Sequence, residues 1–280
     1  MEKEALVNEI IGNYERLKKV SPLIQQITNY VSMYEQANIT LAAGARPVMT
    51  ECPAEFEEIT AQADALLLNI GTSNEKRREA ILQANEIAGE YRVPVVLDPV
   101  GAGASTCLRE LALELLESGN ISIVKGNAGE IFSLAGIQLS GGVSGVDYVG
   151  EDITELPPEE LKKLVEFAGK YKLLVVITGE KDLLIDRDYQ LICSNGVQLL
   201  GEITGSGCMA GSLVASYLAV SASPLLAALT GISILGISAE LAAREASGPG
   251  TFRIMLHDQV AGLDTAEIRE KLKLEFIELV

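Results

Sequence analysis

Short runs of branched apolar residues alternate along the chain with longer segments in which apolar residues recur every three to four positions. This alternation is typical of parallel strands that are joined by crossover helices. The predicted strands are residues 65–69, 93–98, 121–125 and 173–178. The predicted helices are residues 74–91, 105–117, 127–135 and 157–171. We therefore expect an α/β fold with a doubly wound, mostly parallel sheet and helices on both faces.

The pattern changes after residue 178. Two apolar runs, 183–186 and 190–194, flank a polar turn, which predicts an antiparallel hairpin and a sheet that is mixed at this edge.

Residues 203–239 carry no charge and are long enough to span a bilayer. Their glycine turn, the break at 221–224 and many small residues instead favour two buried, closely packed helices. Residues 140–152, rich in Gly and Ser, predict a loop, either at the surface or acting as a mobile lid.

Composition narrows the classes of function. With 280 residues, 48% of them hydrophobic, the chain can bury a large core, and we expect a single domain over residues 1–280. The 39 acidic and 22 basic residues give a net charge of -17, which argues against nucleic acid or an anionic membrane as a partner. A small anionic ligand is not excluded, because backbone N–H groups and a metal ion bind phosphate whatever the net charge.

The cysteines and the histidine argue against a zinc site and against a Ser-His-Asp mechanism. The four cysteines form no Cys-x-x-Cys pair and the only histidine is His257, so neither a zinc site nor Ser-His-Asp catalysis is expected. Glu2, Lys3 and Glu4 interrupt any apolar run at the N-terminus, so no signal peptide is expected. We therefore expect a cytoplasmic protein with reduced thiols.

Ligands of open α/β sheets bind at the carboxyl ends of the strands. The segments that close the predicted strands each combine a polar group with a glycine that lets a ligand approach the backbone. These segments are Asn69-Ile70-Gly71-Thr72, Asp98-Pro99-Val100-Gly101-Ala102-Gly103, Lys125-Gly126-Asn127-Ala128-Gly129-Glu130 and Thr178-Gly179-Glu180. The sequence therefore predicts a binding site at this edge of the sheet.

A glycine turn, Thr204-Gly205-Ser206-Gly207-Cys208, runs directly into an apolar helix predicted over residues 209–220. Free N–H groups and the positive end of the helix dipole meet at such a turn, where they bind a phosphate or stabilise charge during its transfer. The spacing is neither a Walker loop nor the dinucleotide-binding G-x-G-x-x-G. An ordinary helix cap by Thr204 or Ser206 explains the same pattern. Cys208 lies in the first helical turn, which favours a thiolate that acts as a base; the alternative is a small buried hydrophobic residue.

Two carboxylates and two phosphate-binding candidates lie at the other strand ends. Asp98 and Glu130 are candidates to hold Mg²⁺ beside ATP phosphates. Alternatively, Asp98 orders the turn that follows it and Glu130 completes a capping box with Asn127. Lys125 either contacts a β- or γ-phosphate or extends to the surface. Thr178 is either a nucleotide contact or a turn hydroxyl.

Six motifs occur in a fixed order over residues 20–245. They are Ile27-Thr28-Asn29-Tyr30-Val31, Pro47-Val48-Met49, Leu68-Asn69-Ile70-Gly71-Thr72, Val96-Leu97-Asp98-Pro99-Val100-Gly101-Ala102-Gly103, Lys125-Gly126-Asn127 with Glu130, and the turn that ends in Cys208. Together they resemble the hydroxyethylthiazole kinase family. The joint occurrence is specific, whereas any one motif alone is weak.

The resemblance implies a ribokinase-like fold and transfer of the ATP γ-phosphate to the primary alcohol of 4-methyl-5-(2-hydroxyethyl)thiazole, a salvage step of thiamine biosynthesis. It also implies magnesium and a homotrimer with active sites shared between subunits. By this likeness Met49 and Gly205 would contact the thiazole, and Asn29, Gly71 and Thr72 would line the same pocket. The residues at the phosphate side would be Lys125, Thr178 and Gly207 for ATP, Asp98 and Glu130 for magnesium, and Cys208 for the substrate hydroxyl.

Three positions depart from the family pattern. Lys125 stands where arginine is common. A guanidinium that could bind phosphate through two N–H groups is thus replaced by a single ammonium charge. Gln25-Gln26 replaces a frequent His-Cys pair, which affects the fine specificity of the pocket. Ser206 replaces a usual threonine and keeps the hydroxyl.

Other functions fit the same pattern. One is a nucleotide-dependent dehydratase of hydrated nicotinamide cofactors, which would be expected to carry aspartate in place of Cys208. Another is a thiazole- or nucleotide-binding protein without catalysis. A third is a kinase for a different heterocyclic alcohol, such as a pyridoxal-like or pyrimidine substrate.

Overall fold

The computed structural model describes residues 3–137 and 156–276, so the predicted loop at 140–152 lies outside the described residues. One nine-stranded sheet runs through them, in the order β2-β1-β3-β4-β5-β6-β7-β8-β9. The strands are β1 (Leu23–Ile27), β2 (Arg46–Val48), β3 (Ala65–Asn69), β4 (Val95–Asp98), β5 (Ile121–Asn127), β6 (Leu174–Thr178), β7 (Asp182–Ile185), β8 (Gln190–Cys193) and β9 (Leu274–Phe276).

The first six strands in chain order pair in parallel, and β7, β8 and β9 are antiparallel. This confirms the predicted mixed sheet with a hairpin at one edge. The central strands are buried on both faces; all five residues of β3 are buried, for example. Burial of a Leu, Ile or Val side chain contributes about 1.5–3 kcal/mol, so these apolar runs fix the centre of the sheet.

Helices cover both faces of the sheet, as the alternating pattern predicted. They are α1 (Lys3–Val20), α2 (Met33–Ala43), α3 (Phe56–Ile59), α4 (Glu75–Tyr91), α5 (Thr106–Glu117), α6 (Ala128–Ala135), α7 (Pro158–Tyr171), α8 (Ser206–Leu218), α9 (Pro224–Glu245), α10 (Pro249–Gly262) and α11 (Thr265–Lys271). Two buried apolar clusters result: one packs α1, α2 and α8 to α11 against one face, and the other packs α3 to α7 against the opposite face.

The uncharged stretch forms the two helices α8 and α9, which pack against each other in the core. Within the described residues, α9 alone is long and apolar enough to cross a membrane, but 94% of its most apolar 18-residue window is buried inside the protein. Small residues allow the close packing: a Cβ on Gly231 of α9 would lie 2.8 Å from the backbone nitrogen of Val214 on α8. The helix is therefore part of the core that supports the glycine turn.

Candidate active site

The carboxyl ends of β3, β4, β5 and β6 lie side by side, as the sequence predicted. Asn69 pairs in register with Asp98, and Asn127 pairs with Thr178. Because these parallel strands end at one edge of the sheet, their polar end residues meet there. The N-terminus of α8 reaches the same edge, since Lys125 on β5 donates a hydrogen bond to the carbonyl of Gly207 at 2.9 Å.

Lys125 and Asp98 form a buried ion pair at this edge. The Nζ of Lys125 lies 3.1 Å from Oδ1 of Asp98, and the two residues are 2% and 0% exposed. Asn69 donates a second hydrogen bond to Asp98 Oδ2 at 2.7 Å. Burial lowers the pKa of Lys125, but the negative charge of Asp98 and smaller contributions from its other neighbours together outweigh burial and raise that pKa, so the ammonium stays charged. The alternative in which Lys125 extends to the surface is wrong.

The glycine turn begins α8 without a side-chain cap. Gly205 is the N-cap residue in a left-handed conformation, with a φ of 90°, and no side chain caps the helix. A cap by Thr204 or Ser206 is therefore excluded. A Cβ on Gly205 would lie 2.8 Å from Cβ of Ser32, so the position requires glycine for both its φ and its space. The first turn lies at the strand-end edge, and the free N–H groups and dipole of a helix N-terminus favour an anion.

Cys208 lies in the first turn of α8, and two asparagines contact its sulfur. Nδ2 of Asn29 is 3.4 Å and Nδ2 of Asn69 is 3.3 Å from Sγ. The expectation that this position favours the thiolate is wrong. Burial, and then the negative charge of Asp98, raises the pKa of the Cys208 thiol, and the opposing effect of Lys125 is smaller. At neutral pH the group is a thiol that is held in place by amide hydrogen bonds.

Glu130 forms the predicted capping box at the start of α6. Asn127 caps the helix and accepts from the Glu130 amide at 2.9 Å, while Glu130 accepts from the amides of Asn127 and Gly101, both at 2.9 Å. Burial and the nearby Asp98 carboxylate raise the pKa of Glu130 to about 7. Glu130 thus joins the loops after β4 and β5, and its charge is sensitive to pH near neutrality.

Thr178 ends β6 beside a turn that a second buried carboxylate supports. Its hydroxyl donates to the carbonyl of Gly126 on the neighbouring strand β5 at 3.3 Å. Asp182, at the start of β7, accepts from the amide of Gly179 at 3.1 Å. Burial raises the pKa of Asp182 to about 7, and the charge of Lys125 partly offsets this. Thr178 therefore lies at the same edge as the ion pair.

The pocket residues suggested by resemblance fall in two groups. Gly71 is next to the asparagines that contact Cys208: a Cβ there would lie 3.1 Å from Cβ of Asn29, and its amide donates to Oδ1 of Asn69 at 3.2 Å. Thr72 follows in a left-handed conformation with a φ of 50°. Met49 is not brought into this hydrogen-bonded group, because it follows β2, two strands from β3.

A divalent cation would have few protein ligands here. Within residues 3–137 and 156–276 no group of three or more His, Cys, Asp or Glu side chains is placed to hold a metal ion. Asp98 and Glu130 are nevertheless close enough for the charge of one to raise the pKa of the other. Mg²⁺ is commonly bound by one or two carboxylates together with substrate phosphates, so this pair fits magnesium that arrives with a nucleotide.

Sequence reasoning assigned no individual contacts to three residues that organise the site, although Asn69 was part of a predicted strand-end segment. Asn69 connects Asp98, Asn29 and Cys208; Asp182 supports the turn after β6; and Arg77 contacts the loops after β1 and β3. For Asn69 a signal was present, namely a polar residue that ends a fully apolar strand. Arg77 and Asp182 gave no comparable signal, because Arg77 lies among other charged residues in the first turns of α4 and Asp182 lies in a polar segment that leads into β7.

The order of the strands and the helices on both faces of the sheet are those of a ribokinase-like α/β fold. A ribokinase-like superfamily protein from Enterococcus faecalis has a similar structure, with a TM-score of 0.62, 13% sequence identity and coverage of 93% of this chain and 94% of that chain. At this identity the likeness concerns the fold alone. It confirms the predicted fold class.

Closer similarities define the family. The hydroxyethylthiazole kinase family model matches residues 14–266. A hydroxyethylthiazole kinase of Archaeoglobus fulgidus is 39% identical over 275 residues, which are 98% of this chain and 99% of the relative. The structure of a hydroxyethylthiazole kinase from Pyrococcus horikoshii has a TM-score of 0.85 and 37% identity and covers 96% of this chain and 99% of that chain. The chain therefore belongs to the hydroxyethylthiazole kinase family and is an enzyme of the kinase class.

Proposed function

We propose that the protein transfers the γ-phosphate of ATP to the hydroxyl of 4-methyl-5-(2-hydroxyethyl)thiazole, a salvage step in thiamine biosynthesis. The observation that carries this proposal is the position of Cys208. Its sulfur lies on the uncapped glycine turn, in contact with Asn29 and Asn69, and Lys125 contacts the same turn through Gly207. A small alcohol that is bound beside the sulfur would thus face a phosphate at the turn.

The reacting groups have distinct roles in the proposed reaction. Phosphoryl transfer passes through a loose transition state, so catalysis depends mainly on position and on stabilisation of charge. The first-turn amides of α8, with Gly205 on the thiazole side and Gly207 on the ATP side, would stabilise the oxygens of the transferring group. Lys125 would supply positive charge to the same phosphate, and Thr178 would contact the nucleotide. Asp98 would keep Lys125 protonated and in place.

We assign Cys208 a position-setting role toward the alcohol. Because its pKa is raised, the thiol is protonated at neutral pH and does not remove the alcohol proton before transfer. In a loose transition state the nucleophile's proton need not leave early, so an unionised thiol is compatible with catalysis. Cys208 would instead hold the hydroxyl in line with the γ-phosphate.

The thiazole ring would lie against the loops that follow β1, β2 and β3. Asn29 and Gly71 are in direct proximity to the reaction centre, and Thr72 is next to them. Met49 would contact the ring from the loop after β2. We propose that the chain forms one kinase domain, since the strands from both halves of the chain build the single sheet that carries these loops.

Magnesium would be held by Asp98, Glu130 and the ATP phosphates, and it would neutralise phosphate charge.

The protein is proposed to act in the cytoplasm as a homotrimer. Support for self-association comes from exposed apolar side chains on α2 and α10, where Tyr34 is 77% and Ile254 is 61% exposed. Light scattering on the purified protein would give the oligomeric state, and a monomer would contradict the trimer.

Identification of the product tests the proposed activity. We expect incubation with ATP, Mg²⁺ and the thiazole alcohol to yield its phosphate monoester and ADP in equal amounts, as measured by mass spectrometry and an ADP assay. ADP without the phosphate monoester would show ATP hydrolysis only and would contradict the proposal. If neither ADP nor the phosphate monoester forms, a binding protein and a kinase for a different alcohol remain as explanations.

A further inference from the structure

A buried arginine joins the loops that follow three adjacent strands. Arg77, in the first turns of α4, is 3% exposed. Its Nη2 donates to the carbonyl of Thr28 after β1, its Nη1 donates to Oγ1 of Thr72 after β3 at 3.2 Å, and its Nε lies 3.2 Å from Glu51 after β2. The three strands β2, β1 and β3 are neighbours in the sheet. One guanidinium group therefore connects all three strand-end loops.

The residues that Arg77 contacts are adjacent in sequence to residues of the reaction centre. Thr28 precedes Asn29, whose amide contacts Cys208, and Thr72 follows Gly71, which packs against Asn29. The hydroxyl of Thr72 also accepts from the amide of Tyr30 at 3.2 Å, so the loops after β1 and β3 are joined a second time. A displacement of Arg77 would move both loops relative to the sulfur.

An aromatic ring covers the guanidinium at the surface. Cζ of Arg77 lies 4.6 Å from the ring centroid of Tyr30, and the Tyr30 hydroxyl donates to Glu51 at 2.8 Å. Arg77, Tyr30 and Glu51 line one wall of a cavity of about 480 Å³ that opens beside these loops.

The geometry of these contacts requires arginine. The guanidinium is a planar group with five N–H donors, so it donates to Thr28 and Thr72 in different directions while its charge faces Glu51. Lysine carries the same charge on a single nitrogen and cannot reach the three loops together. Removing a cation from water is costly, so a buried ion pair often adds little net stability. The burial of Arg77 is therefore weak evidence that it serves stability alone.

We propose that Arg77 is a positioning residue for the alcohol substrate. It holds Asn29, Gly71 and Thr72 in the arrangement that binds the ring and directs the hydroxyl to the γ-phosphate. Since the ATP side is built on Lys125, Thr178 and the turn of α8, Arg77 acts on alcohol binding and not on ATP binding. This inference rests on the proposed function.

Steady-state kinetics of R77M and R77K test the proposal. We expect both variants to raise KM for the thiazole alcohol by about 10- to 100-fold, as small displacements of substrate-positioning groups do, with KM for ATP almost unchanged. R77K should not rescue the loss, because charge without the planar fork does not join the loops. An equal loss for both substrates, unchanged KM for the alcohol, or full rescue by R77K would overturn the proposal.

The neighbouring Arg78 provides the matched control. It lies on the same helix, forms a surface ion pair with Glu114 and is partly exposed, so R78M should leave both KM values unchanged. If R77M does not fold, R77K gives the same readout, since it keeps a cation opposite Glu51.

Amide hydrogen exchange separates this proposal from the proposed function. Without substrate, R77M or R77K should exchange faster than R78M at residues 28–32 and 71–73, whichever alcohol the enzyme uses, and unchanged exchange there would overturn the role of Arg77.

Discussion

The ammonium of Lys125 and the carboxylate of Asp98 lie 3.1 Å apart, both almost completely buried, beneath the first turn of α8. The same ammonium donates to the carbonyl of Gly207 at 2.9 Å. The pair thus connects the edge of the sheet to the proposed phosphate site. It has consequences for both stability and turnover.

Lys125→Met should destabilise the protein and impair catalysis. Removal of the cation leaves Asp98 as an uncompensated buried charge, which typically costs about 3–5 kcal/mol in the free energy of unfolding. Urea unfolding and KM for ATP measure the two effects. Lys125→Arg should retain most of the activity, because the charge and its reach to a phosphate are kept.

The double variant Lys125→Met with Asp98→Asn separates these effects. Since no buried charge is then unpaired, much of the lost stability should return. Activity should not return, because the phosphate would still lack its cation. Recovery of turnover in the double variant would refute the proposed role of Lys125.

Cys208→Ala should slow kcat without abolishing it. The effect should be at or below the lower end of the roughly 10²–10⁴-fold range for a general base, because the thiol orients the alcohol and does not ionise first. The pH profiles of the wild type and the variant should have the same shape between about pH 6 and 8, since the raised pKa keeps the thiol protonated there. Cys208→Asp should remain active.

A kcat unchanged by Cys208→Ala would remove Cys208 from the site. A rate that rises with pH in the wild type and not in the variant would instead indicate that the thiolate is the base.

Gly205→Ala and Gly207→Ala should have different effects. At Gly205 the positive φ costs roughly 1–2 kcal/mol for an L-residue, and the new Cβ would also lie 2.8 Å from Cβ of Ser32. Thermal unfolding should therefore show a lower Tm and activity should fall. At Gly207 the new Cβ would lie 3.7 Å from Nζ of Lys125, which is an ordinary contact, so Tm should change little.

The Gly207→Ala variant should nevertheless raise KM for ATP, because its methyl group would occupy space beside the ammonium that contacts the phosphate. A normal KM for ATP in this variant would place the phosphate elsewhere.

Asp182→Asn should change how stability depends on pH. In the folded protein burial raises the pKa of Asp182 to about 7, above the unfolded value of about 3.9. Asp182 therefore contributes stability below about pH 4 that is lost as the pH rises through 7. Asparagine cannot titrate, so the stability of the variant relative to the wild type should increase between these values, by roughly 4 kcal/mol.

Urea unfolding of both proteins at several pH values measures this difference. Asp188→Asn, at an exposed turn position, controls for the loss of one carboxylate. A difference that is constant or falls with rising pH would contradict the raised pKa of Asp182.

The central strands and their helices were predictable because their apolar runs are uninterrupted. The strands β1 and β2 were not, for identifiable reasons. β1 contains Gln25 and Gln26, and Gln26 is accommodated by hydrogen bonds to Thr40 and Ser212 that only the folded chain provides. β2 has three residues including a proline, which suits an outer strand and gives almost no pattern.

From the sequence we could predict which edge of the sheet carries the candidate site and which residues lie there. The contacts that define its chemistry were not, because they join residues far apart in the chain. Cys208 meets asparagines 179 and 139 positions away, and burial, followed by the charge of Asp98, raises the pKa of its thiol. Helix position alone therefore predicted the wrong protonation state of the thiol.

The most direct test of the proposed activity is competition between alcohols in one ADP-release assay. The thiazole alcohol, pyridoxal and a hydroxymethylpyrimidine would be offered to the wild-type enzyme with ATP and Mg²⁺, and kcat/KM would be measured for each. We predict the highest kcat/KM for the thiazole alcohol and little ADP without an alcohol. Preference for either other alcohol, or ADP release that does not depend on any of them, would contradict the account.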